Sequence, residues 1–156
     1  MLRLAPVRSA LKTLVAAHYP QIATDLLEPL TRLLQLARES CGGDIDKFLV
    51  VLVISLRATQ HRDFRAESPE RIMSGAIPIL PTLGVNVRSI AESIGIPKET
   101  VRRKVQELIE AEWVARVGGH LHFTARAYQE LAPVREEMED LAARYYQLVA
   151  KLRGQG

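Results

Sequence analysis

The sequence predicts a mainly α-helical chain carrying one small β-hairpin. Three observations predict it. Apolar residues make up 47% of the 156 residues and aromatic ones only 5%, the balance of a helical protein rich in Leu, Ala and Val. Apolar residues recur at three-four spacing through most of the chain. Near the C-terminal third, Trp113-Val114-Ala115-Arg116-Val117 and His120-Leu121-His122-Phe123 read as two short strands. Gly118-Gly119 between them supplies the positive φ angles of a two-residue hairpin. A chain of this length buries a real core.

The elements follow in order. Leu4, Val7, Leu11 and Leu14 repeat at helical spacing, so a first helix is expected from about Leu4 to Ala17. It stops at Tyr19-Pro20, because the residue before proline leaves the helical region. A second helix is expected from about Gln21 to Glu39, with Ile22, Leu26, Leu30, Leu33 and Ala37 on one face. Pro29 inside it is expected to kink or divide it, and Gly42-Gly43 ends it. Asp44 is the expected N-cap of a third helix, Ile45 to Gln60, with Asp46 at its favourable dipole end. The centre of that helix, Phe48 to Ile54, is apolar nearly all round and should be deeply buried.

Residues 63–84 are the least regular. Ser68-Pro69-Glu70 starts a short helix and Gly75 stops it. Pro78, Pro81 and Gly84 then force an irregular path. A stretch like this is either a packed insertion without a ligand or a place for an unidentified small-molecule effector or a partner.

The run from Asn86 to Val105 is the most informative part of the chain. Gly95 ends a short first helix by taking the left-handed conformation. Val101, Val105, Leu108 and Ile109 make the inward stripe of a second helix. Helix, tight turn, helix and then hairpin is the layout of a winged helix-turn-helix, whose second helix can lie in a DNA major groove. Pairing Val117 with His120 puts Val114, Leu121 and Phe123 on one face of the hairpin together with Arg116. Ala115, Val117, His120 and His122 share the other face.

The stretch Gly95-Ile96-Pro97-Lys98-Glu99-Thr100-Val101-Arg102-Arg103 resembles the start of the recognition helix in Crp/Fnr-type bacterial regulators. The resemblance maps that family's base-reading residues onto Lys98, Glu99 and Arg103, and a phosphate-contacting position onto Thr100. Pro97 stands where that family has a hydroxyl cap. Helices on both sides of the winged helix make the whole layout similar to MarR-type dimeric regulators.

Position on the helix leads to the same three residues. Lys98 and Glu99 fall in the first turn and Arg103 one turn further on the same side, opposite Val101 and Val105. Lys98 and Arg103 suit guanine O6 and N7, and Glu99 suits the amino group of cytosine. Phosphate contacts are expected from Arg88, Thr100, Arg102, Lys104, Arg116 and His120. The net charge of +3 and pI of about 9.2 permit nucleic-acid binding without demanding it. Distribution says more. Lys98 to Lys104 holds four cations and one anion, whereas Glu107 to Glu112 holds three anions and no cation. A winged helix serving only as a protein-interaction module is the competing expectation; four cations on one exposed helix side favour DNA.

After the hairpin, a long helix is expected from Ala125 to Leu152. Leu131, Val134, Met138, Leu141, Tyr145, Leu148 and Leu152 form a heptad seam along it. Either this helix packs on the chain's own N-terminal helices or it pairs with a second subunit, and the seam alone does not decide. Homodimerisation through it together with the first two helices is the expectation, since two recognition helices must reach successive major grooves about 34 Å apart. The organisation expected is therefore residues 1–43 as N-terminal support, 44–124 as a DNA-binding core with recognition helix 98–110 and wing 113–123, and 125–156 as a dimerisation helix.

Other functions find little in the sequence. There is no G-x-S-x-G, phosphate-binding glycine loop or H-E-x-x-H, so no enzyme, cofactor or metal is expected. His120 and His122 share a strand face but have no further ligands nearby. Cys41, the single cysteine, fits a reducing compartment and a packed helix end. The longest apolar run is too short to span a bilayer. Arg3, Arg8 and Lys12 precede the first acid, Asp25, as in a transit peptide, but the helical spacing there favours a structural helix. A cytoplasmic, bacterial-type transcriptional regulator is the resulting expectation.

Overall fold

A computed structural model describes residues 4–155. The chain is mainly helical, with one two-stranded antiparallel sheet. In chain order, helices α1 (Leu4–Ala17), α2 (Tyr19–Ser40), α3 (Ile45–Thr59), α4 (Arg62–Ala66), α5 (Pro69–Met73), α6 (Val87–Ile94) and α7 (Lys98–Glu110) precede strands β1 (Val114–Val117) and β2 (His120–Phe123). Helices α8 (Ala125–Glu130) and α9 (Ala132–Gly154) follow. No described helix is long and apolar enough to cross a membrane. The chain divides into two compact units, one running up to Leu36 and resuming at Val134, the other spanning Ala37–Pro133.

The first unit holds α1, most of α2 and most of α9. The break between α1 and α2 falls at His18, so Pro20 sits in the first turn of α2, where its missing N–H is tolerated. Of the two outcomes expected at Pro29, a kink or a division, division does not occur: α2 runs as one helix past it. The proline ring is buried, and that burial offsets part of the lost backbone bond. Pro29 thereby takes the inner position expected of Leu30, which turns outward and is 40% exposed. Helix α9 runs antiparallel to α2: the Tyr145 hydroxyl donates to the Leu26 carbonyl at 2.6 Å, and Arg32 pairs with Glu137 at 3.2 Å.

The second unit is built around α3, which packs against α6, α7 and β2. Asp44 caps it, accepting from the Lys47 N–H at 2.9 Å. Val50, Val51, Ile54 and Ala58 are buried, whereas Phe48, Leu49, Leu52 and Val53 are only half-buried. Burial pushes the Cys41 thiol up to about 11, against the opposing pull of Lys47, so the sulfur stays protonated and unreactive. Ser68 caps α5, accepting from the Arg71 N–H at 3.2 Å. The sequence reading missed α4, because its cap is His61, whose Nδ1 accepts from the Asp63 N–H at 3.1 Å; histidine is not a customary cap.

Part of the irregular segment has a structural task. Leu80 N–H donates to the Phe123 carbonyl at 3.0 Å, and Leu121 N–H donates to the Val85 carbonyl at 2.9 Å. Residues 80 and 85 are both buried. This backbone thus satisfies the edge of β2 that β1 leaves open.

The single long helix expected from Ala125 onward is two helices. Helix α8 starts on a Thr124 cap and ends at Leu131 (φ −88°, ψ 9°), and α9 restarts with Pro133 in its first turn. The proline supplies no N–H to continue the preceding helix.

Candidate nucleic-acid interface

The site is set by how α6 delivers α7. Asn86 caps α6, its Oδ1 accepting from the Ser89 N–H at 2.9 Å. Ile90 is fully buried. Gly95 closes the helix at φ 69°, ψ 25°, donating its N–H to the Ala91 carbonyl. Nothing lies within 4 Å of where a Cβ would stand, so the positive φ rather than crowding is what demands glycine. Pro97 opens α7 without a side-chain cap, and its carbonyl accepts from the Val101 N–H at 3.0 Å.

Along α7 two faces separate as the spacing predicts. Val101, Val105 and Leu108 are buried. Lys98, Glu99, Arg102 and Arg103 are exposed and Thr100 is half-buried. The exposed group is not uniform. Arg102 Nε bonds Glu99 Oε2 at 3.0 Å, and on α6 Arg88 Nε bonds Glu92 Oε1 at 2.9 Å. Among the described residues no ion pair engages Lys98, Arg103 or Arg116.

Lys104 corrects the sequence reading. It is buried, with 9% of its side chain exposed, and its Nζ lies 2.5 Å from Asp44 Oδ2. It cannot reach a phosphate from there, so α7 offers three exposed cations rather than four. The reason is helical geometry: position 104 lies three residues after Val101 and four before Leu108, on the inward stripe. Asp44 therefore does two jobs, capping α3 with Oδ1 and holding α7 with Oδ2. A second tie runs beside it, Lys47 Nζ to Glu107 Oε2 at 2.5 Å. Burial raises the Asp44 carboxyl's pKa, but the bonds from Lys104 and the Lys47 N–H outweigh it and hold the carboxyl below its ordinary value. The bond from Lys47 likewise lowers Glu107. The sequence signal for this network was present in the Lys104 spacing, although nothing local to Asp44 named its partner.

The hairpin has the expected register, Val117 opposite His120 and Val114 opposite Phe123. Val114, Leu121 and Phe123 are buried, and Arg116 and the Gly118-Gly119 tip are exposed. His120 is exposed as well, but its ring lies over Gly84: a Cβ there would stand 2.8 Å from its Nδ1. Arg57 Nε donates to the Gly84 carbonyl at 3.0 Å, so the start of β2, beside the hairpin turn, rests on a loop tied to α3. His122 Nδ1 lies 3.1 Å from the Leu80 carbonyl oxygen. The two histidines are thus engaged separately.

The seam assigned to dimerisation is divided. Leu131, Val134 and Leu152 are already buried within one chain, which removes them from any interface with a second copy. Leu141, Tyr145 and Leu148 are half-buried, and Met138 is 45% exposed. For the residues of α9 the physical reason is that this helix lies along α2, as the Tyr145–Leu26 bond shows.

No protein-family model matches the chain, and neither a curated protein nor a solved structure matches it.

Proposed function

We propose that residues 44–124 form a winged helix-turn-helix and that the protein binds double-stranded DNA in a sequence-specific way, as a homodimeric transcriptional regulator of the bacterial, cytoplasmic kind. One observation carries the reading. Helix α7 buries Val101, Val105 and Leu108 and turns Lys98, Arg102 and Arg103 outward, as a helix entering a major groove would. Lys98, Glu99 and Arg103 are the proposed base-reading residues. Arg88, Thr100, Arg102, Arg116 and His120 are the proposed phosphate contacts, and Lys104 is excluded from both groups. On DNA, Glu99 and Arg102 would separate, the first to a base and the second to a phosphate. Their surface pair is worth little, so that exchange is cheap.

A protein-interaction module is the second reading. It draws on Val117 at the hairpin tip, 46% exposed, and Leu83, 52% exposed, since apolar exposure serves protein partners better than phosphates. Selection of bound sequences from a random duplex pool separates the two. Enrichment of an inverted repeat, with half-sites about one helical turn apart, supports DNA recognition and two-fold symmetry together. A pool that emerges unenriched overturns the DNA reading.

A further inference from the structure

We infer that a groove on the second compact unit, between the irregular segment, α8 and the start of β1, binds a small hydrophobic cation of the aryl- or alkylamine class. The inference goes beyond the DNA reading and does not rest on it. The groove meets α7 only at Ile109, in its last turn, and β1 only at Val114 and Ala115. Lys98, Arg103 and the hairpin tip lie outside it.

The groove has a volume of about 540 Å³, the size of a small-molecule site, and like such sites it is apolar with a few polar groups. Pro78 and Ile79 of the irregular segment form one apolar side, and Ile109, Val114 and Ala115 the other. Ile79 is left 45% exposed there. Backbone bonds fix the walls. Ala125 N–H donates to the Pro78 carbonyl at 3.0 Å, and Gln129 Nε2 donates to the Met73 carbonyl at 2.8 Å. Gly75, at φ 76°, leaves room for that amide, since a Cβ there would stand 3.3 Å from Gln129 Nε2.

The polar groups narrow the occupant. Thr124 is fully engaged: its hydroxyl donates to the Glu112 carbonyl at 2.8 Å and accepts from the Ala127 N–H at 3.1 Å. Arg126 is the one cation among the described residues that line the groove. It is shared between Glu112 Oε2 and Glu130 Oε1. Glu130 gives its other oxygen to Trp113 Nε1 at 2.5 Å, so both its oxygens are taken. Glu112 Oε1 and Gln129 Oε1 remain as acceptors in the lining. One cation between two carboxylates also leaves one negative charge in excess. An ammonium supplies three donors and the balancing charge. A carboxylate would have to compete with Glu112 and Glu130 for Arg126. The backbone points to the same residue. Glu112 is the one non-glycine among the described residues with a positive φ, 60°. It follows the end of α7, where that conformation favours glycine. A carboxylate is thus held in the groove against backbone strain, which is a mark of functional positions.

Isothermal titration calorimetry of the full chain without DNA is the test. The probes are diphenylbutylamine and the alcohol and carboxylic acid built on the same frame. The amine should bind one per chain with a Kd on the order of 10–100 µM. The alcohol should bind at least about tenfold more weakly, and the acid more weakly still. Glu112→Gly suits the positive φ, so the chain folds, and it should bring the amine down to the level of the alcohol. Ala115→Phe, which fills the groove from half-buried position 115, should abolish binding of both. An amine that does not bind at millimolar concentration, an acid that binds as tightly as the amine, or a Glu112→Gly chain that keeps the amine preference would each overturn the inference. Unchanged binding to a folded Ala115→Phe chain would do the same. A changed sedimentation of ligand-free Ala115→Phe would show a second copy of the chain in the groove and overturn it as well. DNA takes no part in these measurements, so this inference and the DNA reading fail separately.

Discussion

Replacing Lys104 by Met tests both the packing of α7 and the division of its cations. Methionine keeps the unbranched stem, so the substitution isolates the ammonium. Removing one partner of a fully buried pair costs about 3–5 kcal/mol, and an exposed pair contributes about 0–1 kcal/mol. This pair lies between those limits. Lys104 has 9% of its side chain exposed, but Asp44 has 30% and still accepts the Lys47 N–H after the substitution. The stranded carboxylate is therefore partly rehydrated, and a loss of about 2 kcal/mol is expected. For a chain of this length that lowers Tm by roughly 4–8 °C. Thermal and urea unfolding read the loss directly, and a double-mutant cycle with Asp44→Asn, which retains the cap, isolates the coupling. The same variant, titrated on random duplex DNA, should show an unchanged salt slope. A Lys104→Met protein as stable as wild type would refute the assigned pair. A salt slope reduced by about one would instead restore Lys104 as a phosphate contact.

Three further outcomes follow from the same geometry. Arg103→Ala should cost about 1–3 kcal/mol on the selected site, much less on random DNA, and relax one base position; equal losses on both, read by fluorescence anisotropy, would reduce Arg103 to a phosphate contact. Arg116→Ala should weaken binding to specific and random duplexes by similar factors and flatten the salt dependence, because it sits at the exposed hairpin tip. Asp44 and Glu107 both titrate lower in the folded chain than in the unfolded one. Folding therefore releases protons from them, and the stability they contribute is full above about pH 5 and lost as pH falls through their folded values. The Tm drop between about pH 5 and pH 3 should be smaller in Asp44→Asn than in wild type, and an identical drop would remove Asp44 from the acid response.

The parts of the fold that were legible in the sequence are those with a local cause. Asp44 and Ser68 announce helix starts because their side chains bond a backbone N–H three residues on. Gly95 announces a helix end through its φ of 69°. Gly118-Gly119 fixes the hairpin register and hence which of its residues are buried. What was not legible depends on partners distant in sequence. Lys104 looks like one cation among four until Asp44, sixty residues away, is placed beside it. Pro29 looks like a helix breaker until its ring is found buried inside α2. The α9 seam reads equally as packing on the chain's own helices and as a subunit interface, and only the Tyr145–Leu26 bond shows that α9 lies along α2. Exposure on α7 was legible for Lys98, Glu99 and Arg103, since helical spacing alone opposes them to Val101 and Val105.

Equilibrium binding of the wild-type protein to random duplex DNA across a salt series tests the central claim most directly. Arg88, Arg102 and Arg116, the cations proposed to meet phosphates, are exposed, and each phosphate neutralised adds about −0.9 to the slope of log K against log salt. A linear fall with a slope of roughly −3 per protomer is predicted. A slope near zero, or no binding at low salt, would contradict DNA recognition by this helix.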